Sequence, residues 1–207
     1  MFETERTALY SVHPGIQGVQ DWIETLKQKT GRNLDEWIEL VQESGPTTEV
    51  AQRDWLKAKF GFGTNSASWI AGRANGHGQE DSDPELYLKA AEKYVEAMFE
   101  GKRSALRPIY DRVLHKAFAL GDDVKACPCK TIVPLYRKSV FAQIKPATNT
   151  RIDMGYALGD MPATGRLIDT GGFAKKDRIT HRIPITALDE INEEVERWLR
   201  TAYDMNA

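Results

Sequence analysis

Between Lys130 and Leu158 the chain alternates between apolar and polar positions. Val133, Leu135, Val140, Ala142, Ile144, Ile152, Met154 and Tyr156 recur at every second position, the period that puts side chains on one face of a strand. The pattern predicts three antiparallel strands. A two-residue connection at Lys138-Ser139 sets Arg137 opposite Val140, Leu135 opposite Ala142 and Val133 opposite Ile144. The reverse face then collects Tyr136, Phe141, Gln143, Lys145, Arg151 and Asp153. In that register Tyr136 lies across from Phe141, and a loop centred on Thr148 puts Gln143 across from Asp153 and Lys145 across from Arg151.

Before this stretch the apolar period is helical. Ile16, Val19, Ile23 and Leu26 mark a helix over residues 15–29 that Gly31 ends. Asn33 caps a second helix carrying Leu34, Trp37, Ile38 and Val41, and Gly45-Pro46 stops it. Thr47 or Thr48 opens a third with Val50, Trp55, Leu56 and Phe60 inward, and a fourth runs from about Thr64 to Ala74 with Trp69 and Ile70. Residues 1–75 therefore read as a helical domain whose tryptophans Trp37, Trp55 and Trp69 belong to its core. Residues 76–83 are polar, contain glycine and end acidic, which marks a linker. A second domain, residues 84–207, starts with Pro84 in the first turn of a helix capped by Asp83.

That helix carries Leu86, Leu88, Ala91, Tyr94, Val95 and Met98. Another carries Leu106, Ile109, Tyr110, Val113, Leu114, Ala117 and Phe118 as far as Gly121. A short strand near Val124–Cys127, the three alternating strands, an irregular segment over residues 159–172, a strand at 179–185 and a final helix from Thr186 or Asp189 complete the chain. The expected fold is α+β: a helical N-terminal domain, then an antiparallel sheet of about four to five strands packed with helices.

Composition and charge sharpen this outline. A chain of 207 residues with 41% hydrophobic residues is long enough for a proper core in one or two domains. It has no apolar run of membrane-spanning length, and its start lacks the basic and apolar parts of a signal peptide, so the expected setting is cytoplasmic. The formal net charge is −2 but unevenly spread: residues 1–83 hold 8 Lys and Arg against 13 Asp and Glu, whereas residues 121–182 hold 11 against 6. The sheet region is the basic part of an acidic protein, less basic than dedicated nucleic-acid-binding domains.

Two stretches resemble known families. TGRNLDEWIELVQESGPTT and WLKAKFGFG, within residues 30–75, resemble domain of unknown function 4287, a small helical bacterial family. KTIVPLYRKSVFAQIKPATNTRIDMG, ATGRL, THR and LDE followed by WLRTAYD, within residues 104–204, resemble domain of unknown function 5655. The resemblance implies a soluble prokaryotic-type protein without an assigned reaction, and it brings no catalytic residues. The second family also looks like a domain appended to predicted nucleases, which links it to nucleic acid by association. The segment VKACPCK departs from that family's pattern.

Candidate chemistry is sparse. Cys127 and Cys129 are the only cysteines, and a zinc site would need His115 and His181 to fold against them; two reduced thiols are the simpler reading. Gly61-Phe62-Gly63 before a helix lacks the GK[ST] of a phosphate loop and the preceding strand of a dinucleotide site. Residues 48–60 and 64–74 have the layout of a helix-turn-helix offering Asn65, Ser66, Ser68 and Arg73, but the acidic charge of the module opposes phosphate binding. His181, alternating with Ile179 and Ile183, reads as a core histidine. No catalytic residue, metal site or cofactor is expected.

The mixed sheet face is the strongest candidate site, with Tyr136, Phe141, Lys145, Arg151, Asp153, Arg166 and Arg182 as expected ligand-binding residues. Asp153, two positions from Arg151 on one strand, balances the cations. The expected function is non-catalytic binding of nucleic acid or another anionic ligand. Two other readings stay open. An enzyme would show a deep pocket with perturbed titratable groups, and a protein-interaction scaffold would show both sheet faces covered and an exposed apolar patch.

Overall fold

The computed structural model describes residues 9–207. They fall into two compact units, residues 12–89 and residues 9–11 with 90–207.

The first unit holds α1 (Gly15–Thr30), α2 (Leu34–Ser44), α3 (Glu49–Phe60) and α4 (Thr64–Ala74). Their boundaries follow from capping chemistry. Asn33 accepts from the Glu36 amide while the Glu36 carboxylate accepts from the Asn33 amide, a reciprocal capping box. Thr48 caps α3 through the Ala51 amide. Leu26, Trp37, Val41, Leu56, Ala67, Ile70 and Ala71 form the core, and the Trp37 ring meets both Phe60 and Phe62 edge-on at 4.9 Å. Two expectations change. Val50 is exposed, and Arg73 is buried, donating to the Trp69 carbonyl and to Ser82 Oγ at 2.8 Å. Arg73 therefore fastens the polar segment after α4 and is not presented outward as a recognition helix would need. Gln20 holds the same segment through the Ser82 carbonyl at 2.8 Å.

α5 (Pro84–Met98) runs through the division between the units. Asp83 Oδ1 accepts from the amides of Glu85 and Leu86 and so opens it. A 3-10 stretch (Gly101–Leu106) leads into α6 (Arg107–Phe118). The sheet comprises β1 (Lys125–Ala126), β2 (Val133–Tyr136), β3 (Val140–Pro146), β4 (Ile152–Tyr156), β5 (Ile168–Asp169) and β6 (His181–Ile185), and α7 (Glu193–Asp204) follows. All pairings are antiparallel in the order β1-β2-β3-β4-β6-β5. The fold is α+β, with six strands where four to five were expected. The addition, β5, lies in the segment that reads as irregular because it is only two residues long.

One sheet face is core. Val133, Leu135, Ala142, Ile144, Ile152, Met154, Tyr156, Ile183 and Ile185 are all closed to solvent. α7 packs on β3 and β4 and buries Val195, Trp198, Leu199, Ala202 and Tyr203. His181 is also buried. Its Nδ1 pairs with Thr180 Oγ1 and its Nε2 with the Met161 carbonyl, each at 2.8 Å. Because a carbonyl only accepts, Nε2 carries the proton and Nδ1 accepts from the threonine hydroxyl. This is a satisfied core histidine.

The register differs from expectation at both turns. Leu135 faces Ala142 and Val133 faces Ile144, but a shift between Leu135 and Tyr136 sets Tyr136 opposite Val140. The connection thus spans Arg137, Lys138 and Ser139, with the Arg137 amide donating to the Ser139 carbonyl, and the shift leaves Phe141 without a partner on β2. Phe141 is 0% exposed and meets Tyr203 of α7 edge-on at 5.6 Å, so it belongs to the interior. At the second turn Gln143 faces Gly155 and Lys145 faces Asp153. That slip is two residues, and an even slip keeps every side chain on its expected face.

Candidate anion-binding groove

Neighbouring strands bring a polar set together on the reverse face. β3 contributes Gln143 and Lys145, β4 contributes Asp153 and Gly155, and β6 contributes Arg182. The segment Asp177–Ile179, with Thr170, forms the opposite wall of a groove of about 440 Å³. Gly155 is what lets that wall come so close. A Cβ there would sit 2.7 Å from Ile179 Cγ2 and 3.0 Å from Gln143 Cγ, distances a real side chain does not tolerate.

Asp153 is the electrostatic centre. Arg151 Nε lies 2.9 Å from one carboxylate oxygen and Arg182 Nη1 lies 3.1 Å from the other. The Asp153 side chain is only 16% exposed. Neither close approach has hydrogen-bond alignment, so Arg151 Nε, Arg182 Nη1 and Asp153 Oδ1 are shut from solvent with unused hydrogen-bonding capacity. Those two contacts are ionic, and Arg151 also donates from Nη2 to Asp153 Oδ2 at 3.5 Å. Lys145, across the ladder, is exposed, and its ammonium makes no ion pair or hydrogen bond among the described residues. Two guanidiniums thus flank the Asp153 carboxylate, Lys145 stands across the ladder from it, and Asp177 is a second carboxylate in the groove lining.

Arg178 stands at the rim. Its Nε donates to the Val140 carbonyl at 2.7 Å, and its Nη2 donates to Ser139 Oγ and to Asn206 Oδ1. Sequence reasoning missed Arg178 as a site residue because it reaches the groove from a distant loop. It also missed Gly155, although a glycine inside an alternating strand is a cue for close backbone approach.

The expected site residues are only partly brought together. Lys145, Arg151, Asp153 and Arg182 cluster. Tyr136 sits elsewhere, at the end of β2 that pairs with β1, where burial and the nearby thiols of Cys127 and Cys129 push its hydroxyl up to about 12. Phe141 is inside the core. Arg166 donates from Nη1 to the Glu190 carbonyl and from Nη2 to the Pro184 carbonyl, each at 2.9 Å, and its amide donates to Glu194. Its guanidinium pins the segment before β5 to β6 and to the turn that precedes α7, which explains its place in the sequence without a ligand. Burial pushes the Cys127 thiol up to about 12, so it is no nucleophile at neutral pH. Among the described residues no group of His, Cys, Asp and Glu is placed to hold a metal ion, and no helix is long and apolar enough to cross a membrane.

The class this architecture defines is an α+β domain with a six-stranded antiparallel sheet, in a chain that also carries a helical unit. Residues 95–206, more than half of the chain, match the family model described as "Domain of unknown function (DUF5655)", and the chain belongs to that family. Residues 18–75 match the model described as "Domain of unknown function (DUF4287)". Comparison with the curated proteins and with the solved structures returns no match.

Proposed function

We propose that the groove on the sheet face binds the phosphate backbone of nucleic acid, as a binding module without chemistry of its own. The observation that carries this reading is the unpartnered Lys145 ammonium beside two guanidiniums that share a single carboxylate. Such a cluster gains most from an added anion, because each guanidinium has five donors and Asp153 engages few of them. The basic excess of residues 121–182 supports the same partner through longer-range attraction. A cytoplasmic setting fits as well, since Cys127 and Cys129 are both free thiols.

The test is equilibrium titration of fluorescein-labelled oligonucleotides with the full chain and with its Lys145→Ala and Arg182→Ala variants. Each substitution is expected to weaken binding about tenfold, in line with the loss of one charge-assisted contact. Oligonucleotide binding that neither substitution changes would place the interface elsewhere.

A further inference from the structure

Next to the groove lies a second cavity of about 660 Å³, and the two share Asp177 and Arg178 as a common wall. Its character is different. Phe173 and Met205 line it while remaining 58% and 53% exposed, so a large aromatic ring and a thioether stand open at its edge. An exposed aromatic is ordinarily held in place by little, but Phe173 sits in a firmly built turn. The Asp177 amide donates to the Gly172 carbonyl at 2.9 Å and the Lys176 amide to the Phe173 carbonyl at 3.0 Å. Lys176 is left-handed with φ 60°. This pair of bonds is a Schellman arrangement, which fixes the residues it encloses. At Gly172 a Cβ would lie 2.5 Å from the Ile179 carbonyl oxygen, so the turn is pressed against the segment that walls the groove.

Arg178 is the ridge between the cavities, held by the Val140 carbonyl and by Asn206. Asn206 is itself anchored by its donation to the Ala202 carbonyl at 2.6 Å. A groove lined by Lys145, Arg178 and Arg182 against Asp153 and Asp177, running into an exposed aromatic on a fixed turn, is a combination that binds single strands: phosphates follow the excess of positive charge and a base stacks on the ring. A duplex offers no free base face to such a platform.

Resting on the nucleic-acid reading of the groove, we infer that the ligand is single-stranded and that one of its bases stacks on Phe173 in the neighbouring cavity, beside Met205. The phosphate next to that base lies against Arg178 at the ridge, and the phosphate after it lies against the Lys145 and Arg182 side of the groove. The cavity is of a size that holds small ligands, which run from about 300 to 1,000 Å³.

The experiment titrates the full chain and its Phe173→Ala, Phe173→Tyr and Lys145→Ala variants with three labelled probes: a single-stranded 12-mer, the matched duplex, and a single strand with abasic sites at its centre. The expected result is single strand over duplex. Phe173→Ala weakens the single strand roughly 5- to 100-fold, the range for one stacked base, and leaves duplex affinity unchanged. Phe173→Tyr retains binding, Lys145→Ala weakens both forms, and the abasic probe binds like the 12-mer does to Phe173→Ala. If Lys145→Ala weakens binding but Phe173→Ala does not, the stacking inference is overturned and the groove reading stands. If no probe binds, both fall. A dimer in sedimentation that Phe173→Ala dissolves, with oligonucleotide affinity unchanged, assigns the apolar cavity to a second copy of this chain and overturns the inference.

Discussion

Lys145 on β3 lies directly across the ladder from Asp153 on β4, yet Asp153 gives its carboxylate to Arg151 and Arg182. The lysine is left as the exposed charge of the cluster. Asp153 therefore acts as an internal anion that keeps two guanidiniums in position while limiting the positive potential of the groove.

Replacing Asp153 with Asn removes that limit. An anionic oligonucleotide is expected to bind several-fold more tightly to Asp153→Asn. Stability falls at the same time by about 1–3 kcal/mol, because two guanidiniums lose their counter-ion at a site largely closed to water. Paired urea denaturation and oligonucleotide titration check both signs; unchanged stability with unchanged affinity would remove Asp153 from the centre of the account.

Gly155→Ala probes the wall. The added methyl meets Ile179 and Gln143 at distances that force one of them to move, and overpacking of this kind costs about 1–3 kcal/mol. Denaturation measures the cost. Oligonucleotide affinity should fall with it, since the groove is shaped by the approach of residue 179 to the sheet.

Phe141→Ala tests the bulge. With Phe141 inside against Tyr203, truncation is expected to cost about 3–5 kcal/mol. Tyr136→Ala, at a half-buried position, should cost less. Equal costs would mean that the two rings share one environment, as the unbulged register requires.

Acid stability has a named source. The Tyr203 hydroxyl donates to Asp123 at 2.6 Å and Arg137 Nε donates to it at 2.8 Å, and these two contacts, in that order, hold its carboxyl below the usual range. The backbone amide of Thr186 does the same, foremost, for Glu190. A depressed folded value means that the unfolded state takes up protons first as pH falls. The stabilisation is present above the ordinary carboxylate range of about 4 and is lost as pH drops through the lower folded values. Asp123→Asn should flatten part of the acid limb of a pH-denaturation curve and leave its shape near pH 7 unchanged.

The caps of α2, α3 and α5, the alternating strands and the core histidine were legible in the sequence because each depends on neighbours in the chain: Asn33 with Glu36, Val133 with Leu135, His181 with Ile183. The last helix, expected from Thr186 or Asp189, instead opens at Glu193 behind an Asn192 cap. The bulge at Phe141 was not, since turn length is settled by how Phe141 and Tyr203 pack across 62 residues of sequence. Lys145, Arg151 and Arg182 could be placed on one face from alternation alone. Arg166 could not be told from them, because its fate is set by the Glu190 and Pro184 carbonyls it meets in space. Arg178 and Phe173 reach their positions through a loop whose path has no periodicity to read.

The most direct test of a phosphate-binding groove is the salt dependence of oligonucleotide affinity for the full chain and for the Lys145→Ala/Arg182→Ala double variant. With roughly 2–3 phosphates engaged, log K should fall against log salt with a slope of about −1.4 to −2.1 for a single strand. The double variant should bind more weakly and with a slope shallower by about 1.4, two contacts at about 0.7 each. A slope near zero in the unaltered chain, or the same slope in both proteins, would contradict the account.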